Sequence, residues 1–98
     1  MATGLQVQHE VKGHRSAFFL EKDGERVATM TMSRVNDHTT MIDHTEVSDT
    51  LRGQGAGREL LDAAVAWARG NNQKFIPVCP FAKAQFDKDA TIRDILAS

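Results

Sequence analysis

Arg52-Gly53-Gln54-Gly55-Ala56-Gly57 decides how this chain is read: three alternating glycines stand immediately before a helix-like segment. A glycine loop lets backbone N–H groups close on a phosphate with no Cβ atoms in the way. The helix behind it adds the positive end of its dipole and several unpaired N–H donors. Arg52 and Arg58 bracket the loop with positive charge. The stretch therefore reads as a seat for a diphosphate, against the plainer reading of a tight turn before a helix.

Two common phosphate signatures fail here. A P-loop needs Gly-Lys followed by Ser or Thr, where this chain has Gly57-Arg58-Glu59. A dinucleotide fingerprint needs a third glycine or an alanine, but counting from Gly53 meets Arg58, and counting from Gly55 meets Leu60. What remains is Arg-x-x-Gly-x-Gly.

Downstream of the loop, Leu60, Leu61, Ala64, Val65, Trp67 and Ala68 recur at helical spacing and predict a main helix over 59–69, stopped by Gly70-Asn71-Asn72. Phe75 to Cys79 reads as a fifth strand, with Pro77 marking an edge or splayed position. Pro80 suits the first turn of a short helix over 81–86. Asp89 or Thr91 is placed to cap a last helix carrying Ile92, Ile95 and Leu96.

Upstream, alternation predicts four strands. The first carries Leu5, Val7, His9 and Val11, and the second spans 16–21. The third spans 27–33, with Ala28, Met30 and Met32 on one face, and the fourth spans 40–47. Gly13-His14, Asp23-Gly24 and Asn36-Asp37-His38 supply the turns. Antiparallel strands followed by strand, glycine loop, helix and strand make an α+β domain. Its sheet is mixed and mostly antiparallel, with a parallel crossover at the end.

The composition narrows the function. A chain of 98 residues is expected to form one small domain over 1–98. A net charge of −1 gives no reason to expect nucleic acid or an anionic membrane surface as partner. No apolar run approaches the ~20 residues of a membrane span, and residues 1–5 carry no signal-peptide pattern. A single cysteine, Cys79, rules out an internal disulfide and suits a reducing cytoplasm. The four histidines are too scattered for a metal site.

Three segments together carry a resemblance. The strand Ile42-Asp43-His44-Thr45-Glu46-Val47 is followed by the loop Leu51-Arg52-Gly53-Gln54-Gly55-Ala56-Gly57 and then by Ile76-Pro77-Val78-Cys79-Pro80-Phe81. The combination resembles the small, single-domain branch of the GCN5-related N-acetyltransferases, over nearly the whole chain. The chain departs from that branch at Phe86-Asp87-Lys88-Asp89-Ala90, which lacks the Lys-His-Pro of many relatives, and larger superfamily members add strands that help form the acceptor site.

The resemblance implies a minimal fold of that kind, with acetyl-CoA as co-substrate and no metal. The cofactor would lie between splayed fourth and fifth strands. Its pyrophosphate would sit on the loop residues Arg52, Gly53, Gln54, Gly55, Ala56, Gly57 and Arg58. The Val47 N–H would polarise the thioester, and Phe81 and Lys83 would border the nucleotide. An amine, on a small molecule or a protein lysine, would be the acceptor, by direct transfer or through a cysteine. The alternative is an acyl-CoA-binding module with little transfer, and a monomer or weak dimer suits either.

The chemistry needs a base for the amine and an acid for the leaving sulfur. Relatives often use tyrosine as the acid, but this chain has none. Cys79 is the natural substitute, as acid or nucleophile, or else a small buried hydrophobe. A free thiol titrates near ~8.5, so either chemical role depends on its surroundings. The imidazole side chain as a type suits base work near neutral pH, so His44 is a candidate base, or a strand-fixing hydrogen-bonding residue. Glu46 is a third candidate. With regular alternation His44 and Glu46 share one face of the strand and Thr45 and Val47 the other, unless a bulge changes the phase.

Overall fold

Turn residues that accept positive φ set the strand boundaries. Asp23 (φ 53°) and Gly24 (φ 82°) close a two-residue loop between the paired Lys22 and Glu25, the geometry that matches strand twist. Gly13 (φ 63°) opens the loop between Lys12 and Arg15. Asp37 and His38 fill the loop between Asn36 and Thr39, where the His38 N–H donates to Asn36 Oδ1 at 2.9 Å.

The computed structural model describes residues 3–97. Its strands are β1 (Gln8–Lys12), β2 (Arg15–Lys22), β3 (Glu25–Asn36), β4 (Thr39–Val47) and β5 (Lys74–Pro77), in the spatial order β1-β2-β3-β4-β5. The first four pair antiparallel, and β4 pairs β5 in parallel through helix α1 (Ala56–Gly70). Helix α2 (Pro80–Lys88) and a 3₁₀ segment (Ala90–Ile95) follow. Beyond that segment, Leu96 bridges to Phe75.

The core lies between one face of the sheet and the apolar stripe of α1. Leu60, Leu61, Ala64, Val65 and Ala68 meet Phe18, Leu20, Ala28, Met30, Met32, Ile42 and Phe75 in one buried cluster. β3 alternates as expected, with Ala28, Met30 and Met32 buried and Thr29, Thr31 and Ser33 half-exposed on the other side. On that second face Phe19 is buried beneath Arg26, whose Cζ stands 3.8 Å from the ring centroid and whose guanidinium donates to Glu10 at 2.8 Å. Trp67 is half-buried and packs edge-on to Phe18 and His9. A buried polar tie holds the turn into β5: Thr40 Oγ1–H donates to Gln73 Oε1 at 3.0 Å, and Gln73 Nε2 donates to the Asp37 carbonyl.

Several boundaries differ from the sequence expectation for local reasons. α1 begins at Ala56 rather than Glu59, because Gly55 takes the left-handed conformation (φ 74°) and turns the chain directly into the helix. A 3₁₀ turn (Asp49–Leu51) fills the segment between β4 and the glycine loop, and Ser48 Oγ accepts its Thr50 N–H. β5 stops at Pro77, because the next two N–H groups converge on one carbonyl instead of continuing the ladder. The last helix is a 3₁₀ segment capped by Asp89, which accepts the Thr91 N–H at 2.9 Å.

Phe75 is fully buried at the parallel joint between α1 and β4. Phe75→Ala is expected to lower the unfolding free energy by about 3–5 kcal/mol, through lost burial and the cavity left behind. Urea unfolding measures this, and a loss below about 1 kcal/mol would show that the joint repacks around the missing ring.

Candidate active site between β4 and β5

β4 and β5 stay paired only from Thr39↔Lys74 to Ile42↔Pro77. There the Ile42 carbonyl accepts two N–H groups, from Val78 and from Cys79, each at 3.1 Å. Proline has no N–H to give a ladder, and the chain leaves the sheet at Cys79, which caps α2 with Pro80 in its first turn. β4 runs on alone to Val47, so its outer edge lies open from residue 43 onward.

The hydrogen-bond phase of β4 then fixes what points into this gap. The Ser48 N–H donates to the Val27 carbonyl at 2.8 Å, while Val47 is paired opposite Ala28. That pattern marks Ala28↔Val47 as a non-hydrogen-bonded pair, so the Val47 N–H and C=O point away from β3 and into the gap. Thr45, two residues earlier, has the same orientation.

A bulge decides which side chains go where. Thr31 pairs with His44 and Met32 with Ile42, so Asp43 is an extra residue in β4; its carboxylate accepts the Ser33 hydroxyl at 2.6 Å. Before the bulge the even-numbered Thr40 and Ile42 face the helices. After it the odd-numbered Thr45 and Val47 take that side, with Val47 packed on the core. His44 and Glu46 lie on the opposite, open face, 62% and 76% exposed, with His44 Nε2 and Glu46 Oε1 3.1 Å apart.

Cys79 therefore stands apart from the other two candidates. It is 3% exposed, and its thiol donates to Thr45 Oγ1 at 3.3 Å across the gap. His44 and Glu46 reach the gap only from the other face of the sheet. Val78, 55% exposed, lies where the strands part. Sequence reading passed over both Thr45 and Val78. The signal for Thr45 was its place between His44 and Glu46 on the strand beside Cys79.

The glycine loop sits at the end of the same strand. Gly53 (φ 79°) and Gly55 (φ 74°) hold it in conformations open to glycine, and a Cβ added at Gly53 would meet nothing within 4 Å. The first helical bond of α1 runs from the Glu59 N–H to the Gly55 carbonyl, at 2.9 Å. The N–H groups of Ala56, Gly57 and Arg58 therefore have no carbonyl one turn back, and no side chain caps this end. Gln54 braces the loop by donating from Nε2 to the Thr50 carbonyl at 3.2 Å. Phe81 lies against Gly57 so closely that a Cβ there would stand 2.9 Å from its ring, which ties the loop to the start of α2.

The basic side chains divide. Arg52 is highly exposed beside the loop and pairs with Asp49 at 3.0 Å. The Arg58 guanidinium turns toward α2 instead, bonding Asp62 at 2.8 Å, Gln85 at 2.9 Å and Asp89. Arg58 thus offers the loop its backbone N–H, while its charge is matched elsewhere. Lys83 follows Phe81 by two positions, about 200° around a helix, and lines a depression with Ile76, Pro77 and Phe86 on the side away from Gly57. The structure does not bring Lys83 to the loop.

The loop, the gap, the Val47 N–H and Cys79 fit a ligand with a diphosphate at one end and a carbonyl at the other. Residues 17–95 match the family described as GCN5-related N-acetyltransferase. Among solved structures, a GCN5-like protein of Staphylococcus aureus aligns at 34% identity over 98% of this chain and 91% of its own, with a TM-score of 0.74. A GNAT-family acetyltransferase from Elizabethkingia anophelis with acetyl-CoA bound aligns at 12% identity over 88% and 74%, TM-score 0.67. The ribosomal-protein-alanine N-acetyltransferase of Brucella melitensis biovar Abortus 2308 aligns at 20% over 89% and 64%, TM-score 0.60. At those identities the last two share the fold alone. No curated protein matches the chain.

Asp89 anchors Arg58, and through it the end of α2, to α1. Its carboxyl is held down from 3.8 to about 2, first by the Thr91 hydroxyl and then by Arg58. A depressed carboxylate binds fewer protons folded than unfolded. Its stabilisation is complete above the unfolded value and is lost as pH falls from 3.8 toward about 2. Asp89→Asn is expected to be less stable than the parent at neutral pH, with the difference closing through that acid window. Urea midpoints measured at stepped pH check this; a difference that does not change with pH would place the source outside the carboxylate.

Proposed function

Because the chain belongs to the GCN5-related N-acetyltransferase family of enzymes, we propose that it moves an acetyl group from acetyl-CoA to an amine by way of Cys79. One observation carries the reading. The strands part where the Val47 N–H and the Cys79 thiol reach the same gap, with a glycine loop at the end of the open strand. Acetyl-CoA supplies a thioester carbonyl and a sulfur leaving group joined to a diphosphate.

Each residue then has a role its geometry supports. The N–H groups of Gly53 to Arg58 hold the diphosphate, with Gly55 shaping the loop, Gln54 bracing it and Arg52 adding charge. Phe81 holds the loop against α2. The Val47 N–H donates to the carbonyl oxygen as charge develops on it, the contribution of an oxyanion hole. Cys79 receives the acetyl group as nucleophile. His44, oriented by Glu46, accepts the proton of the amine as the amine approaches from the open face of the sheet. That pair is exposed, which suits an amine borne on a protein, such as a lysine side chain. A free thiol in this role suits a reducing compartment.

Calorimetric titration with acetyl-CoA, with ADP as control, is expected to show saturable binding. Gly55→Val forces a β-branched residue into positive φ and is expected to abolish binding while circular dichroism stays native. No binding at millimolar acetyl-CoA would overturn the assignment.

Two further variants separate the steps. Cys79→Ala is expected to bind acetyl-CoA and lose transfer, by about 10²-fold or more. His44→Ala is expected to keep acylation of Cys79 and slow delivery to the amine. Turnover unchanged in Cys79→Ala would point to direct transfer instead.

A further inference from the structure

We infer that Thr45 is the proton relay for acyl transfer onto Cys79, an assignment that rests on Cys79 being the acyl carrier. The thiol is buried and its hydrogen-bond partner is Thr45 Oγ1, at 3.3 Å. Neither His44 nor Glu46 serves it, since the bulge at Asp43 sends both to the other face of the sheet. The nucleophile therefore has neither of these bases on its side of the gap, yet it must shed a proton as it attacks.

A threonine hydroxyl both accepts and donates. Accepting the thiol hydrogen leaves Thr45 its own hydrogen to give toward the gap. The balance then closes without an outside base. The sulfur of Cys79 forms a bond to the acetyl carbon while the carbon–sulfur bond to CoA breaks. The Cys79 proton passes to Thr45 Oγ1 as the Thr45 hydroxyl proton passes to the departing sulfur. The products are acetylated Cys79 and CoA as a thiol, with Thr45 restored. The Val47 N–H, two residues along the same strand edge, is about 7 Å from Thr45 along the strand. One strand edge thus presents an oxygen-stabilising donor and a proton shuttle to the same reacting group. The bulge is what makes this possible, because without it His44 and Glu46 would face the helices and Thr45 would face away from Cys79.

The test uses Thr45→Val, which keeps shape and β-branching, Thr45→Ala as a second removal of the hydroxyl, and Thr45→Ser, which restores it. The readout is the rate at which acetyl-CoA adds an acetyl mass to Cys79, the chain's one cysteine, followed across pH. The hydroxyl-free variants are expected to lose about 10²-fold near neutral pH and to recover as pH rises, while Thr45→Ser stays near the parent. Hydroxyl-free variants that acylate like the parent at every pH would overturn the relay and leave Cys79 as carrier. A parent protein that takes up no acetyl group would overturn the carrier reading and the relay with it.

Discussion

Everything proposed for this protein depends on one carbonyl. Ile42 C=O accepts the N–H groups of both Val78 and Cys79, and this shared acceptance ends the parallel ladder of β4 and β5. A regular ladder would have carried β5 along β4 to Val47 and consumed the N–H groups of Thr45 and Val47. Because Pro77 closes the pairing and Pro80 starts a helix three residues later, the chain turns away and leaves one strand edge without its partner. An unpaired edge is ordinarily a liability, prone to pairing with another chain. Here it is short and leaves the Val47 N–H without a strand partner.

The bulge at Asp43 is the second constraint, and it acts on side chains rather than on backbone. Side-chain direction in a strand has a period of two, so one inserted residue exchanges the two faces for everything that follows. The insertion puts Thr45 against Cys79 and Val47 against the core, and it leaves the His44–Glu46 pair in solvent. The two candidate groups are thereby separated across the sheet, with the buried Cys79 thiol on one side and the exposed His44–Glu46 pair on the other.

The loop and helix α1 are held in place by contacts outside the gap. Phe81 reaches Gly57 with no room for a Cβ, and Arg58 ties α1 to Gln85 and Asp89 near the end of α2. These contacts couple the glycine loop to the helix that Cys79 caps. The loop and the start of α2 are therefore fixed relative to each other by packing and by a multidentate guanidinium, which is more rigid than an exposed lysine contact would be.

Much of this was legible in the residues. Alternation in Ala28, Met30 and Met32, the helical stripe from Leu60 to Ala68, and Asp23-Gly24 fix local structure through backbone sterics and burial, and each is read within a few neighbours. The glycine loop and the motif around Cys79 likewise mark the family. The sequence determined the elements, the glycine loop before α1 and the chemical types present. Tertiary structure alone decided that Asp43 bulges, that Arg58 serves α2 and Lys83 faces elsewhere, and that Cys79 meets Thr45 rather than His44. Those outcomes depend on hydrogen-bond phase and on contacts between residues 27 to 34 positions apart, which no local pattern of side chains encodes.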